Sequence, residues 1–102
     1  MGTKIKPKRT AEPQTRNVVV EIPLPDGWIS MYVGRLVRRS ETAIVLTDAA
    51  WVASTGRRNL FFAGTPDANC EIETLPDGVE TELPASGAIV TDWLHPLLRT
   101  VR

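Results

Sequence analysis

The stretch of residues 33–49 reads VGRLVRRSETAIVLTDA and decides the fold of this 102-residue chain. Two runs rich in β-branched and aliphatic side chains flank the polar residues 40–42, which predicts two antiparallel strands joined by a tight turn. Gly34 stands inside the first of these strands, and a missing side chain at such a place is typical of a bulge or a sharp bend. We therefore expect a curled hairpin at the centre of a small β-sheet.

Towards the N-terminus, two further segments lead into this hairpin. The run VVVEI at residues 18–22 predicts a first strand, because β-branched side chains stiffen an extended backbone. Residues 23–27, PLPDG, end that strand, since proline removes ladder donors and Asp-Gly supplies the positive φ of a turn. Residues 28–39 form the longest predicted strand, apolar on both faces in its first half and reaching solvent at Arg38 and Arg39.

Towards the C-terminus, short β-rich runs alternate with turns. Residues 48–55 predict the one helix, with Asp48 as its N-cap and Gly56 as its stop. Further strands are predicted at residues 60–62, 70–74, 79–83 and 88–92, and an apolar closing segment follows at residues 93–98. The pattern as a whole predicts an all-β fold, a small SH3-like barrel or sandwich of about six to seven short strands with at most one short helix.

The hairpin resembles the bent central hairpin of SH3-like and Sm-like barrels, in which a glycine placed like Gly34 lets a long strand curl from one sheet into the next. Sm-like proteins bind RNA through an Asp and an Asn in this turn. This chain has Ser-Glu-Thr at residues 40–42 instead, so the resemblance implies the fold rather than RNA binding. Continued to residue 58, the stretch also resembles small uncharacterised bacteriophage proteins with a Gly-x-Leu motif ahead of a Trp-containing segment. That resemblance implies a phage accessory or virion protein.

Twelve Lys and Arg residues balance twelve Asp and Glu residues, but the charges are separated along the chain. Residues 1–16 carry a net charge of +4, residues 17–58 a net charge of +1, and residues 59–102 a net charge of −5. The first segment has almost no apolar content, which predicts a flexible basic arm at residues 1–16 ahead of a single β domain at residues 17–102. Opposite charges at the two ends favour contacts between unlike surfaces of neighbouring molecules.

The residues that could carry catalysis are few. His95 lies in an apolar stretch, a setting typical of a packed histidine bonded to backbone, and the single Cys70 is typical of a small buried residue. The glutamates at positions 71, 73, 80 and 82 alternate along two predicted strands and indicate a solvated acidic face. The sequence has no metal-ligand spacing and no phosphate loop, so we expect a non-enzymatic protein without cofactor or metal.

The sequence also bears on location. No run of residues is long and apolar enough to cross a membrane, and the basic N-terminus has no apolar segment behind it. A lone cysteine fits a reducing compartment. We therefore expect a protein that is cytoplasmic in the producing cell, or part of a virion.

Two functions are favoured, and an enzyme ranks third. The first is an interaction or assembly protein that contacts another copy or a viral structural protein, as a capsid decoration, head-completion or tail-associated component does. The second is a small nucleic-acid- or nucleotide-binding β-barrel. Both use the same predicted partner-binding residues: Lys4, Lys6, Lys8, Arg9 and Arg16 in the arm, Arg38 and Arg39 at the hairpin tip, and Arg57 and Arg58 after the predicted helix. Six aromatic residues could stack on bases, but in so small a domain we expect them in the core.

Overall fold

The computed structural model describes residues 16–99, which form one antiparallel sheet and one short helix. The elements in chain order are β1 (Asn17–Pro23), β2 (Ile29–Arg39), β3 (Ala43–Thr55), α1 (Arg58–Phe62), β4 (Cys70–Thr74), β5 (Thr81–Pro84) and β6 (Ile89–Asp92). This arrangement confirms the predicted small all-β fold with a single short helix. The predicted basic arm, apart from Arg16, lies outside the described residues.

The strand order is β4-β3-β2-β1-β6, and β5 pairs with β3 beside β4. Strand β3 is long enough to hold two neighbours along one edge: its first part pairs with β5 and its second part with β4. The second Pro-Asp-Gly turn, at residues 76–78, therefore does not close a hairpin. It carries the chain from β4, which pairs with the second part of β3, to β5, which pairs with the first part.

The sheet bends at Gly34, as the sequence predicts. Strand β3 has two residues, Asp48 and Ala49, where β2 has Gly34 alone, which is the two-against-one pattern of a β-bulge. A Cβ atom on Gly34 would lie 3.1 Å from the Cβ of Ala49 and 3.2 Å from that of Leu46. Glycine is therefore required here because two backbones approach closely, not because of an unusual φ angle.

Side chains cover both faces of the sheet. One buried cluster joins strands β1 to β4 with the helix and the closing segment through Val19, Val33, Val52, Phe61 and Trp93. The other joins Val18 and Val20 of β1 to Leu83 of β5. Leu36 of β2 and Leu46 of β3 lie between them in the same cluster, which therefore follows the pairing order β1-β2-β3-β5 across the sheet.

The predicted helix at residues 48–55 is wrong, because this segment is the second part of β3. Asp48 adopts a left-handed φ of 49° instead of capping a helix. The backbone beyond it is paired with β2 on one side and with β4 on the other. An eight-residue helix is marginal on its own, and two ladders of hydrogen bonds outweigh its weak propensity.

The predicted strand at residues 60–62 is also wrong, because these residues belong to helix α1. Its single turn is closed by the Phe61 N–H, which donates to the Arg57 carbonyl at 3.0 Å. The turn buries Phe61 completely against Phe62 and Trp93, with ring centroids 5.2 and 5.0 Å apart. Burial of the aromatic ring therefore overrides the β-propensity of this segment.

Candidate interaction surface

Exposed apolar side chains are concentrated where the β1–β2 and β5–β6 turns meet. Trp28 is 73% exposed, Ile29 57%, Ile89 59% and Leu24 40%. Ile29 pairs with Pro23 at the end of β1, and Ile89 pairs with Glu21 two residues earlier on the same strand. We call Leu24, Trp28, Ile29 and Ile89 the apolar tip. Exposed large apolar side chains at one end of a small domain make that end a candidate surface for contact with another molecule.

The β1–β2 turn is a well-bonded structure that holds Trp28 outward. The Leu24 N–H donates to the Trp28 carbonyl at 2.7 Å, and the Gly27 N–H donates to the Leu24 carbonyl at 3.0 Å. The Asp26 carboxylate accepts the Trp28 N–H at 3.0 Å. Gly27 has a φ of 91°, which only glycine adopts readily. Trp28 is thus fixed by its backbone. The expectation that it lies in the core, at the start of a strand covered on both sides, is wrong, and the same expectation is wrong for Trp51, which is 38% exposed on β3.

Few charged residues lie in the two segments that carry the apolar tip, although the Glu21–Arg58 ion pair lies beside Ile89. Residues 83–91 contain no charged side chain, and residues 22–30 contain only Asp26, in a chain that is 24% charged. Depletion of charge together with exposed aromatic and aliphatic side chains is the composition of the centre of a protein interface. The surface here is therefore suited to a protein partner rather than to phosphate.

Three of the predicted partner-binding arginines, Arg16, Arg38 and Arg58, are paired within the molecule. Arg38 Nη2 lies 2.8 Å from Glu80 Oε1, and its Nη1 lies 3.2 Å from Oε2 of the same carboxylate. These hydrogen bonds and the charge of Arg38 lower the pKa of Glu80. Arg58 Nη2 lies 2.6 Å from Glu21 Oε2, and its guanidinium also stacks over the Phe62 ring at 4.8 Å.

The cations predicted to bind a partner are not gathered at one site. Arg16 donates from Nε to Asp92 at 2.8 Å, and its carbonyl accepts the Leu36 N–H, so Arg16 belongs to the sheet rather than to a free arm. Arg39 and Arg57 are exposed. Lys4, Lys6, Lys8 and Arg9 lie outside the described residues. Their role in partner binding stays a prediction.

A polar pocket of about 460 Å³ lies beside the bend of the sheet and is lined by Asn17, Arg35, Asp48, Asp77, Leu97 and Arg99. Asp48 accepts the Gly78 N–H at 3.1 Å and Arg35 Nη1 at 2.7 Å. The hydrogen bond from Gly78 and, less strongly, the charge of Arg35 hold the pKa of Asp48 below its usual range. The Asp48 carboxylate is therefore bonded within the molecule, and these bonds stabilise the left-handed backbone at Asp48 in β3.

Arg99, on the other side of this pocket, holds the end of the closing segment. Its two terminal nitrogens donate to the carbonyls of Ala49 and Leu75, each at 2.8 Å, and it also pairs with Asp77. Sequence reasoning gave this arginine no role. Both arginines that line the pocket are already bonded to protein groups, and these bonds hold the C-terminal segment in place.

The two residues weighed for catalysis are both packed. His95 Nε2 lies 3.0 Å from the Phe62 carbonyl oxygen, and its ring meets Trp93 edge to face at 4.9 Å, which confirms a packed histidine bonded to backbone. Cys70 is buried, as predicted. Within residues 16–99 no three His, Cys, Asp or Glu side chains converge as metal ligands. No helix in this part of the chain is long and apolar enough to span a membrane.

Comparison with known proteins found no match to a protein-family model, to a curated protein or to a solved structure. The resemblance to Sm-like hairpins and to bacteriophage proteins therefore rests on the residues of the hairpin alone.

The apolar tip is the feature that sequence reasoning missed. The signal that could have found it is the near absence of charge over residues 22–30 and 83–91. Each segment has turn residues at its middle, and turns lie at the surface. Apolar residues in an uncharged turn are exposed unless another element covers them.

Proposed function

We propose that this protein is a non-enzymatic interaction or assembly protein that binds a protein partner through the apolar tip. The observation that carries the proposal is the exposure of Trp28 and Ile29 on a turn whose hydrogen bonds are already satisfied. A turn whose backbone is already hydrogen-bonded lowers the entropic cost of ordering on binding, and tryptophan is among the side chains most enriched in binding hot spots.

The basic arm adds an electrostatic contribution to this contact. Arg16 is engaged by Asp92, so the arm proper is residues 1–15, which carry four cationic residues and one anionic one. Exposed Glu71 and Glu73 on strand β4 give a second copy or a neighbour the complementary charge. Such pairing raises the association rate and makes binding weaker at high salt.

A virion component is the biological setting that the resemblance to bacteriophage proteins favours. A small β protein that decorates or completes a capsid or tail needs an anchoring surface and an arm that reaches onto a neighbour. Nucleic-acid binding is less favoured, because Arg38 and Arg58 already pair with Glu80 and Glu21. It is one of the outcomes that the experiment below separates.

The test is to recover tagged protein from cells in which its natural partners are present. The wild-type chain should be recovered in a complex much larger than one chain, and the double variant Trp28→Ser, Ile29→Thr should be recovered alone. Leu94→Ser is the matched control, because Leu94 is 84% exposed but lies in the closing segment beyond β6, outside the apolar tip.

Two results would overturn the proposal. One is recovery of all three proteins as single chains. The other is a complex that survives the tip substitutions but dissolves when nucleic acid is digested, which would assign the nucleic-acid function instead. A third comparison, with residues 1–15 deleted, measures the contribution of the arm and leaves the Arg16–Asp92 pair in place.

A further inference from the structure

We infer that the outer edge of strand β6 pairs with the same edge of a second copy, so that two sheets join across a twofold axis. This inference deepens the proposed function, on which it rests, by naming a partner for the surface beside the apolar tip. It is carried by the backbone of β6, by the composition of its edge compared with the two other edges, and by the placement of its side chains.

The backbone polar groups on the outer side of β6 follow from the ladder with β1. The Trp93 N–H donates to the Asn17 carbonyl at 2.8 Å, which makes these two residues a hydrogen-bonded pair. Such pairs alternate along antiparallel strands, so Thr91 and Ile89 also bond to β1. The N–H and C=O groups of Val90 and Asp92 point away from β1, and within residues 16–99 no strand pairs with that side.

The other two edges of the sheet carry features that block self-pairing. Strand β4 has exposed Glu71 and Glu73, and strand β5 has exposed Glu82 with Pro84 at its end. Charged side chains and proline on an edge prevent pairing with another chain. Two copies joined at either edge would also bring like charges together.

Strand β6 lacks this protection. Its sequence is Ile-Val-Thr-Asp, three residues of high β-propensity followed by one acid. The charge of Asp92 is already paired with Arg16 at 2.8 Å. The exposed side chain of Ile89 also makes this edge continuous with the apolar tip. An edge whose single charge is paired with Arg16, beside an apolar surface, suits a strand of the same kind, and a second β6 is such a strand.

The direction of the free backbone groups sets the register of the pairing. Outward-pointing residues form the hydrogen-bonded pairs, and Val90 opposite Val90 of the second copy is the register that keeps the two Asp92 residues apart, since Val90 opposite Asp92 would bring them to about 7 Å along the strands. Ile89 then faces Thr91 of the other copy, and the two Val90 side chains, half-buried against the second cluster, meet at the axis. The two Asp92 residues are separated by about 13 Å along the strands, which avoids repulsion.

The test uses the purified full chain alone, by sedimentation velocity and by amide hydrogen exchange at low and high protein concentration. The mass should rise towards twice the 11.2 kDa of one chain. Exchange of the Val90 and Asp92 amides should slow as the concentration rises. Exchange of the Thr91 amide, already bonded to β1, should change little.

Two variants test the edge directly. Val90→Pro removes an outward N–H and leaves the ladder to β1 intact, and it should weaken association by about tenfold or more because a partner carbonyl loses its donor. Thr91→Lys places a charge on the edge and should also weaken association. It keeps the test valid if the proline of the first variant disturbs the strand itself. Glu82→Pro and Glu82→Lys are matched controls at an outward position of β5, and they should leave association unchanged.

The inference is overturned if the chain stays a single copy at every concentration, or if it associates with no change in exchange at Val90 and Asp92. Neither result touches the proposed function, which depends on recovery of a complex with natural partners through Trp28 and Ile29. Loss of that complex with dimerisation intact would instead overturn the proposed function alone.

Discussion

Arg58 Nη2 lies 2.6 Å from Glu21 Oε2, and this ion pair ties the one-turn helix α1 to strand β1, which lies between β2 and β6. Glu21 is the buried charged residue of the described core, and Arg58 reaches it from the solvent side while stacking over Phe62. A buried carboxylate without a partner is costly, so the position of the helix and the charge on β1 depend on each other.

Replacing Arg58 by Ala should therefore destabilise the protein. We expect the free energy of unfolding to fall by about 1–3 kcal/mol, because the buried Glu21 carboxylate loses its charged donor. Urea unfolding followed by circular dichroism measures the change. Arg57→Ala is the control, since Arg57 is exposed and binds Asp67 through its backbone N–H. An equal loss in both variants would show that Glu21 does not depend on Arg58.

Gly34→Ala should destabilise the bend between β2 and β3. The added Cβ would lie 3.1 Å from Ala49 Cβ and 3.2 Å from Ala49 Cα, and backbone must move to relieve that contact. We expect a loss of about 1–3 kcal/mol, the usual cost of overpacking. The double variant with Ala49→Gly removes the nearest opposing atom and should recover part of the loss. Thermal unfolding of both variants would contradict the close-approach argument if the second substitution gave no recovery.

Asp48 should make stability depend on acidity. Its pKa is lowered in the folded state, first by the Gly78 N–H and then by Arg35, so the unfolded chain takes up the proton first as pH falls. The stabilisation is present above the unfolded pKa of about 4 and is lost as pH falls through the lower, folded value. Asp48→Asn keeps an acceptor for Gly78 but cannot ionise, so its loss of stability between about pH 7 and about pH 3 should be smaller than that of the wild type.

Glu80→Gln is the comparison variant for Asp48→Asn, and it should also reduce the loss of stability at low pH. The pKa of Glu80 is also lowered, first by hydrogen bonding to Arg38, and this substitution removes one acid-sensitive carboxylate from a more exposed place. Urea midpoints at both pH values measure each effect. The prediction for Asp48 is wrong if its Asn variant and the wild type lose stability in parallel.

Arg99→Lys should loosen the closing segment. A single ammonium group cannot reproduce the paired bonds that Arg99 makes to the carbonyls of Ala49 and Leu75. We expect faster hydrogen exchange at residues 93–98, including the Trp93 indole N–H, which donates to the Pro96 carbonyl at 2.9 Å. Exchange in the β1–β2 ladder should not change. Equal exchange of the segment in both proteins would remove Arg99 from this role.

The strands and turns that sequence reasoning predicted correctly depend on local chemistry. Residues 18–22 are β-branched apart from Glu21, Pro23 and Gly27 bound a turn, and Gly34 marks a bend. Each of these is a property of a few adjacent residues. The hairpin of residues 33–49 follows from the same local rules.

The errors arise where partners distant in sequence decide the conformation. The local sequence of residues 48–55 predicts a helix, but in the structure β2 and β4 form hydrogen-bonded ladders with this segment on both sides. The local sequence predicts Phe61 in a strand, but in the structure Trp93, on the closing segment, provides the surface that buries it. In each case long-range packing outweighs a weak local preference.

The sequence by itself determined an all-β domain with a bent central hairpin, because backbone stiffness, proline, glycine and alternation act within a few residues. Only the tertiary structure decided which charged residues are paired within the molecule, since Glu21 meets Arg58 across 37 residues and Arg38 meets Glu80 across 42. The same holds for the apolar tip and the open edge of β6. A side chain or strand edge is exposed only when no distant segment covers it, and that depends on the whole folded chain.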